Sequence, residues 1–183
     1  MWIFSYPKPE IIPSYIVSGI MPADYLGIQK VIFLEHHDPK KFLINYKPRL
    51  IIINKAFHSK IINLIREAKN LNIKIISIFD DWHFAPKNNN TKKQFNFYEI
   101  MARNSDCLVV KTDFASDLIR KNIGLEAKVI SDCLRFKSKK PINKINSPLN
   151  ICWFGMHTNH DTLEFGLKEI LDKSIKCKIK IIT

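Results

Sequence analysis

No apolar run in this 183-residue chain approaches the ~18 residues that a membrane-crossing helix needs, so no span is predicted. The opening MWIFSYPKPE lacks a basic segment followed by a long apolar core, and no secretory leader is read there. Glycine is scarce, with five in all, and the turn region before residue 30 holds only Gly19 and Gly27. The dinucleotide signature G-x-G-x-x-G is therefore missing, and Glu35 is not read as a ribose ligand. The phosphate loop G-x-x-x-x-G-K-[ST] is missing too, which excludes P-loop chemistry. Cys107, Cys133, Cys152 and Cys177 show no C-x-x-C spacing, so reduced, buried thiols in a cytoplasmic protein are expected. Acid is the charge in short supply: 17 Asp and Glu stand against 29 Lys and Arg, a formal +12. Such a balance favours an anionic partner, although most of the lysines read as solvated surface.

What is present centres on Ile73 to Phe84, IKIISIFDDWHF. Its first seven residues are apolar except for Lys74 and Ser77, as in a strand buried on both faces. The run then breaks into Asp80, Asp81, Trp82 and His83. Ligands of open α/β sheets bind just beyond the carboxyl ends of the strands, and this end carries the densest chemistry in the chain.

Further strands are predicted at Ser14–Ser18 (with Trp2–Ser5 as an earlier candidate), Val31–Glu35, Leu50–Asn54, Cys107–Lys111 and Ala127–Ile130. Helices are predicted over Ala23–Ile28 with Pro22 in the first turn, Ser59–Leu71, Lys92–Arg103 and Asp113–Lys121. The last of these has Thr112 as its cap and Gly124 as its stop. Alternating strands and helices imply a doubly wound, Rossmann-like parallel sheet with crossover helices over residues 1–134. Arg135 to Pro148 has five basic residues, two prolines and little apolar periodicity, and reads as a linker over 135–148. Over 149–183 the pattern restarts, with a strand at Asn150–Phe154, a helix at Asp161–Leu171 and a strand at Lys178–Thr183. One βαβ unit cannot cover both faces of its sheet, so the second domain is expected to be incomplete and the chain a truncated or split product.

Asp80, Asp81 and His83 are the candidates for acid–base or direct ligand contact; a turn-capping role for one Asp and a packing role for Trp82 stand beside that reading. Spacing alone would allow a metal at His157, His160 and Asp161, against a plain helix-capping reading. His36 and His37 read as a solvated strand end. Gly155 follows a buried strand and opens a helix, where backbone N–H groups can receive a phosphate, or where a tight turn simply needs glycine. No metal is assigned.

Taken in order, IPSYIVSGIMPADYL, KPRLIIINK, IKIISIFDDWHF, SDCLVVKTDFASDLIRKNIG and LNICWFG resemble the GT-B glycosyltransferases, the sugar-nucleotide-dependent enzymes of polysaccharide and glycoconjugate synthesis. The resemblance spans about Ser14 to Leu171. It implies an N-terminal acceptor-side domain and the start of a donor-binding domain. The partners it implies are a nucleotide-sugar donor and a glycan or lipid-linked acceptor, with no separate cofactor. Asp80, Asp81 and His83 would line the cleft as catalytic residues, and Gly19, Gly155, Met156 and His157 would face the donor. Many relatives carry His-Asp where this chain has Asp80-Asp81, and His83 stands near enough to substitute. The family's donor-binding Lys/Arg and paired glutamates lie later than Thr183, so this chain alone is expected to lack transferase activity. The basic surface suits peripheral contact with an anionic inner membrane surface. The other reading is a non-enzymatic α/β protein binding nucleic acid or a phosphorylated small molecule. No recognition motif accompanies the dispersed lysines, so no specific nucleic acid is expected.

Overall fold

The computed structural model describes residues 1–55, 58–80, 84, 89–131, 148–154 and 160–182. Contacts divide the chain into two units, Met1–Arg135 and Phe136–Thr183.

The first unit is an α/β domain built on a six-stranded parallel sheet. Its strands are β1 (Trp2–Phe4), β2 (Lys30–Ile32), β3 (Leu50–Asn54), β4 (Lys74–Phe79), β5 (Cys107–Val110) and β6 (Lys128–Val129), in the order β2-β1-β3-β4-β5-β6. The central three are apolar nearly throughout, as burial on both faces demands. Both interruptions in β4 are answered locally. Buried Ser77 shares a hydrogen bond with Ser105 (2.7 Å), and Lys74 pairs with Asp106 at the surface (2.9 Å). The edge strands β2 and β6 are short and carry Lys30 and Lys128, which guards against edge-to-edge pairing.

Among the described residues the strands are connected by a 3₁₀ turn at Pro9–Ile11 and by five longer helical elements: α1, a run made of Pro13–Tyr15, a π-helical turn at Ile16–Ile20, and Met21–Tyr25; then α2 (Pro39–Tyr46), α3 (Lys60–Asn70), α4 (Asn89–Arg103) and α5 (Asp113–Ile123). The chain runs one way from β1 to β2 and the other way from β2 onward, so α1 and α2 lie on opposite faces. One core layer joins Trp2, Phe4, Ile52, Ile78 and Val109 of the sheet to Tyr15 and Ala23 of α1. The other joins Ile3, Ile51, Ile53, Ile75, Phe79, Leu108 and Val110 to residues of α2, α3, α4 and α5. Thr112 caps α5, accepting from the Ala115 N–H at 3.2 Å, and Gly124 ends that helix in left-handed backbone (φ 70°).

Two expectations about the elements of this unit need correction. Ser14–Ser18 is helical, and the first strand is Trp2–Phe4. Tyr15, Ser18 and Gly19 are the residues this segment buries, a spacing of three and four that belongs to a helix face; Pro13 and Pro22 both stand in first turns. The second correction is α2, for which no helix is predicted. Asp38 caps it, accepting from the Lys41 N–H at 2.7 Å, Pro39 opens it, and Phe42 and Leu43 anchor it in the core.

In the second unit, β7 (Leu149–Phe154) and β8 (Cys177–Ile182) pair in parallel only with each other, joined by α6 (His160–Asp172). Leu163, Gly166, Leu167 and Ile170 form the half-buried stripe of α6, while Phe154, Phe165 and Leu171 are exposed. The expected burial of the cysteines is also corrected: in this unit Cys152 is exposed and Cys177 half-buried, and in the first unit Cys107 of β5 is half-buried; all three are free thiols. Cys133 and residues 135–147 of the basic segment lie outside the described residues.

Candidate functional site

Between β1 and β3 the strand order reverses, and α/β sheets of this kind bind ligands beyond the strand ends at that crevice. Three strands change from apolar to polar at the same level there: Phe4-Ser5, Ile53-Asn54-Lys55 and Phe79-Asp80. Register aligns them, with Ile3 opposite Ile53 and Asn54 opposite Ile78. α1 adds Ser14, Tyr15 and Gly19 from its own face.

Lys55 is the hub. Its carbonyl accepts from the Tyr15 hydroxyl at 2.7 Å and from the Ser5 hydroxyl at 2.9 Å. The two hydroxyls lie 3.2 Å apart, and the Ser5 N–H donates to the Tyr15 oxygen at 3.4 Å. The Lys55 ammonium donates to Ser14 Oγ at 3.1 Å and sits 3.6 Å from Asp80 Oδ2. The lysine side chain is 18% exposed and the aspartate 7%. Two charges so far out of water are costly to separate, because either one left alone is a buried, uncompensated ion.

Burial pushes the Tyr15 phenol up to about 12; the Asp80 charge adds to the rise, and the hydrogen bonds with Ser5 oppose it. The phenol therefore keeps its proton at any physiological pH and remains a donor to Lys55. Next to this network, Asn54 is fully buried and its side-chain nitrogen and oxygen have no hydrogen-bond partner among the described residues.

Asp80 thus stands where its position after β4 predicts, facing the crevice level and paired with Lys55. Asp81 and His83 lie outside the described residues. Both flanks of their segment are fixed. Asp80 is held at one side; at the other, buried Phe84 packs edge-on against Phe79 at 5.0 Å and its carbonyl accepts from the Asn122 amide at 2.6 Å.

Gly19 is at the same end of the sheet but inside the π-helical turn. A Cβ there would lie 2.7 Å from Phe4 Cε1 and 3.2 Å from Asn54 Nδ2. Its observed task is close helix–sheet packing, with that side already filled by protein. Gly155, Met156 and His157 are outside the described residues.

Lys55 is the residue that sequence reading passed over. Its signal is the one used for Asp80, a charged residue directly after a buried strand. Ser5, Ser14 and Tyr15 left no such signal, because they come together only through the fold.

A second cluster gathers at the ends of β2 and β3. The Leu34 N–H donates to His37 Nδ1 at 3.0 Å, and His58 Nε2 donates to the Phe33 carbonyl at 3.1 Å. The rings of His36 and His37 are 4.4 Å apart. Burial lowers the pKa of His37, and the neighbouring His36 and His58 lower it further. His36 is solvated as expected, whereas His37 is half-buried. No group of three potential ligands capable of holding a metal occurs among the described residues, and no described helix is long and apolar enough to cross a membrane.

The class that fold and site define is a Rossmann-like α/β domain with a charged cluster at its switch point. No protein-family model, no curated protein and no solved structure matches the chain.

Proposed function

We propose that the chain is part of a GT-B-type glycosyltransferase, with residues 1–134 forming the acceptor-side domain and 149–183 the start of the donor-binding domain. The observation that carries this reading is the half-buried Asp80–Lys55 pair at the carboxyl end of β4, beside the switch point. Support comes also from the separate βαβ sheet of β7 and β8, and from the order of segments that resembles the family. In the reaction proposed, an acceptor hydroxyl attacks the anomeric carbon of the nucleotide-sugar. The bond from that carbon to the diphosphate oxygen breaks, the diphosphate leaves with its electron pair, and the hydroxyl proton passes to a base of the 80–83 motif. Asp80, Asp81 and His83 are the groups offered for that task, and Gly155, Met156 and His157 for the donor phosphates.

The formal charge of +12 supports a second reading, in which the same edge binds a phosphorylated small molecule or nucleic acid without turnover. Saturation-transfer NMR with nucleotide-sugars, beside salt-dependent oligonucleotide titration of the purified chain, separates the transferase from a nucleic-acid binder. Separating it from a non-catalytic binder of phosphorylated small molecules takes turnover: sugar transfer by the chain joined to a donor-binding domain of the family, lost with Asp81→Asn, supports the transferase reading. Oligonucleotide binding with a steep salt slope, and no nucleotide-sugar signal, overturns it.

A further inference from the structure

Four non-glycine residues adopt left-handed backbone: Lys47, Lys55, Asn72 and Ser174 (φ 45°, 53°, 56° and 49°). Three have the same explanation. Lys47 follows α2, Asn72 follows α3 and Ser174 follows α6, and each returns its N–H to a carbonyl of the helix it ends: Leu43, Lys69 and Leu171. A left-handed residue just past a helix is a common stop.

Lys55 follows a strand and ends no helix. A lysine there is in a backbone region disfavoured for residues with a side chain, and no described helix end accounts for it. Such a residue persists only where its surroundings over-determine it, and these positions gather at ligand sites. Here the surroundings are two hydroxyls, both nearly sealed from solvent, converging on one carbonyl. What the conformation achieves is the placing of the ammonium between Ser14 Oγ and the Asp80 carboxylate.

We infer that Lys55 is the receptor for a phosphate or diphosphate group, and that Ser5 and Tyr15 are positioning residues that hold it in its strained backbone. A compact ammonium beside a hydroxyl suits a phosphate oxygen. The Asp80 oxygen lies 3.6 Å from the ammonium, an ion-pair distance longer than the roughly 2.7–2.9 Å of a charge-assisted hydrogen bond. The side chain, 18% exposed, is within reach of a ligand in the crevice. This deepens the proposed function and rests on the crevice at β1, β3 and β4 being its ligand site. The phosphate belongs either to a nucleotide donor or to a lipid-linked acceptor.

The test uses the full chain, calorimetric titration and three probes: inorganic pyrophosphate, uridine diphosphate and geranyl diphosphate. Lys55→Gly removes the ammonium while giving the backbone a residue at ease with positive φ. It is expected to melt below wild type, since Asp80 loses its counter-ion, yet to fold, and the folded protein to bind pyrophosphate at least tenfold more weakly. Tyr15→Phe and Ser5→Ala are each expected to weaken binding severalfold. In both variants pyrophosphate should also protect Lys55 less from reductive methylation, read by mass spectrometry. Should Tyr15→Phe fail to fold, Ser5→Ala carries that arm.

Tighter binding of uridine diphosphate than of geranyl diphosphate assigns the phosphate to the donor, and the reverse order to the acceptor; either supports the inference. Wild-type affinity in Lys55→Gly overturns it while leaving the transferase reading in place, provided nucleotide-sugars still bind. Lys55-dependent pyrophosphate binding without any nucleotide-sugar binding keeps the inference and removes the transferase. If the wild-type chain binds none of the probes and no nucleotide-sugar, both are lost.

Discussion

Replacing Gly19 by alanine tests whether this glycine is a packing residue or a ligand contact. The added carbon would sit 2.7 Å from Phe4 Cε1, about 0.8 Å inside the ~3.5 Å at which two carbons rest. Phe4 cannot simply withdraw. It is buried and meets the Tyr15 ring edge-on at 5.2 Å, and Tyr15 is fixed to Lys55. Overpacking of this kind costs about 1–3 kcal/mol, while alanine in a helix recovers up to ~1 kcal/mol over glycine. A net loss of about 1–2 kcal/mol is expected, which for a domain of this size lowers Tm by about 4–8 °C. Urea denaturation with an unchanged slope against denaturant is the assay. Adding Phe4→Leu should recover part of the loss, with a coupling of at least ~0.5 kcal/mol between the neighbouring sites. A Gly19→Ala protein as stable as wild type, yet weaker for nucleotide-sugar, would refute this reasoning and restore the glycine as a phosphate contact.

Asp80→Asn should destabilise the first unit by up to about 3–5 kcal/mol by leaving the Lys55 charge without its counter-ion, whereas Lys55→Met with Asp80→Leu should return close to wild type; chemical denaturation of the three variants checks it. Thr112→Ala removes the cap of α5 and should cost about 1 kcal/mol, read from the same curves. His37 has a folded pKa below its unfolded value, so the folded state binds fewer protons. The stability it contributes is present above pH ~6.5 and declines as pH falls from there towards the folded pKa; His37→Asn should flatten that part of a Tm-against-pH curve. The Lys74 hydrogen bond, and then that from the Ile75 N–H, lower the pKa of Asp106. Its contribution is present above the unfolded carboxylate value and fades as pH falls through the folded one, and Asp106→Asn should remove the corresponding acid-side loss.

The parallel sheet was legible because buried strands announce themselves. LIIIN and KIISIF stop within a residue or so of where apolar character ends, and Thr112 and Gly124 bracket α5 by cap chemistry. Ser14–Ser18 misled because five residues with three apolar side chains fit a strand as well as a helix. Only the wider spacing from Ile12 through Tyr15 and Gly19 to Ala23 separates the two. At the site, Asp80 could be found from its place after a strand, and Lys55 could have been found the same way. Its left-handed backbone and the hydroxyls gripping it could not, since Ser5 and Tyr15 are ten and forty residues from their partners in the network and nothing in a linear pattern joins them.

The π-helical turn at Ile16–Ile20 has a consequence for how this chain can vary. An α-helical residue advances the helix by about 100°, but the wide turn closes one residue later than an α-helical turn, so losing one residue there would restore ordinary α-helix with Ser14 and Tyr15 still facing Lys55. The same loss from Met21–Tyr25 has no such slack: it would swing Pro13–Tyr15 about a quarter-circle around the axis and turn both side chains away from Lys55, although no residue touching the crevice had changed.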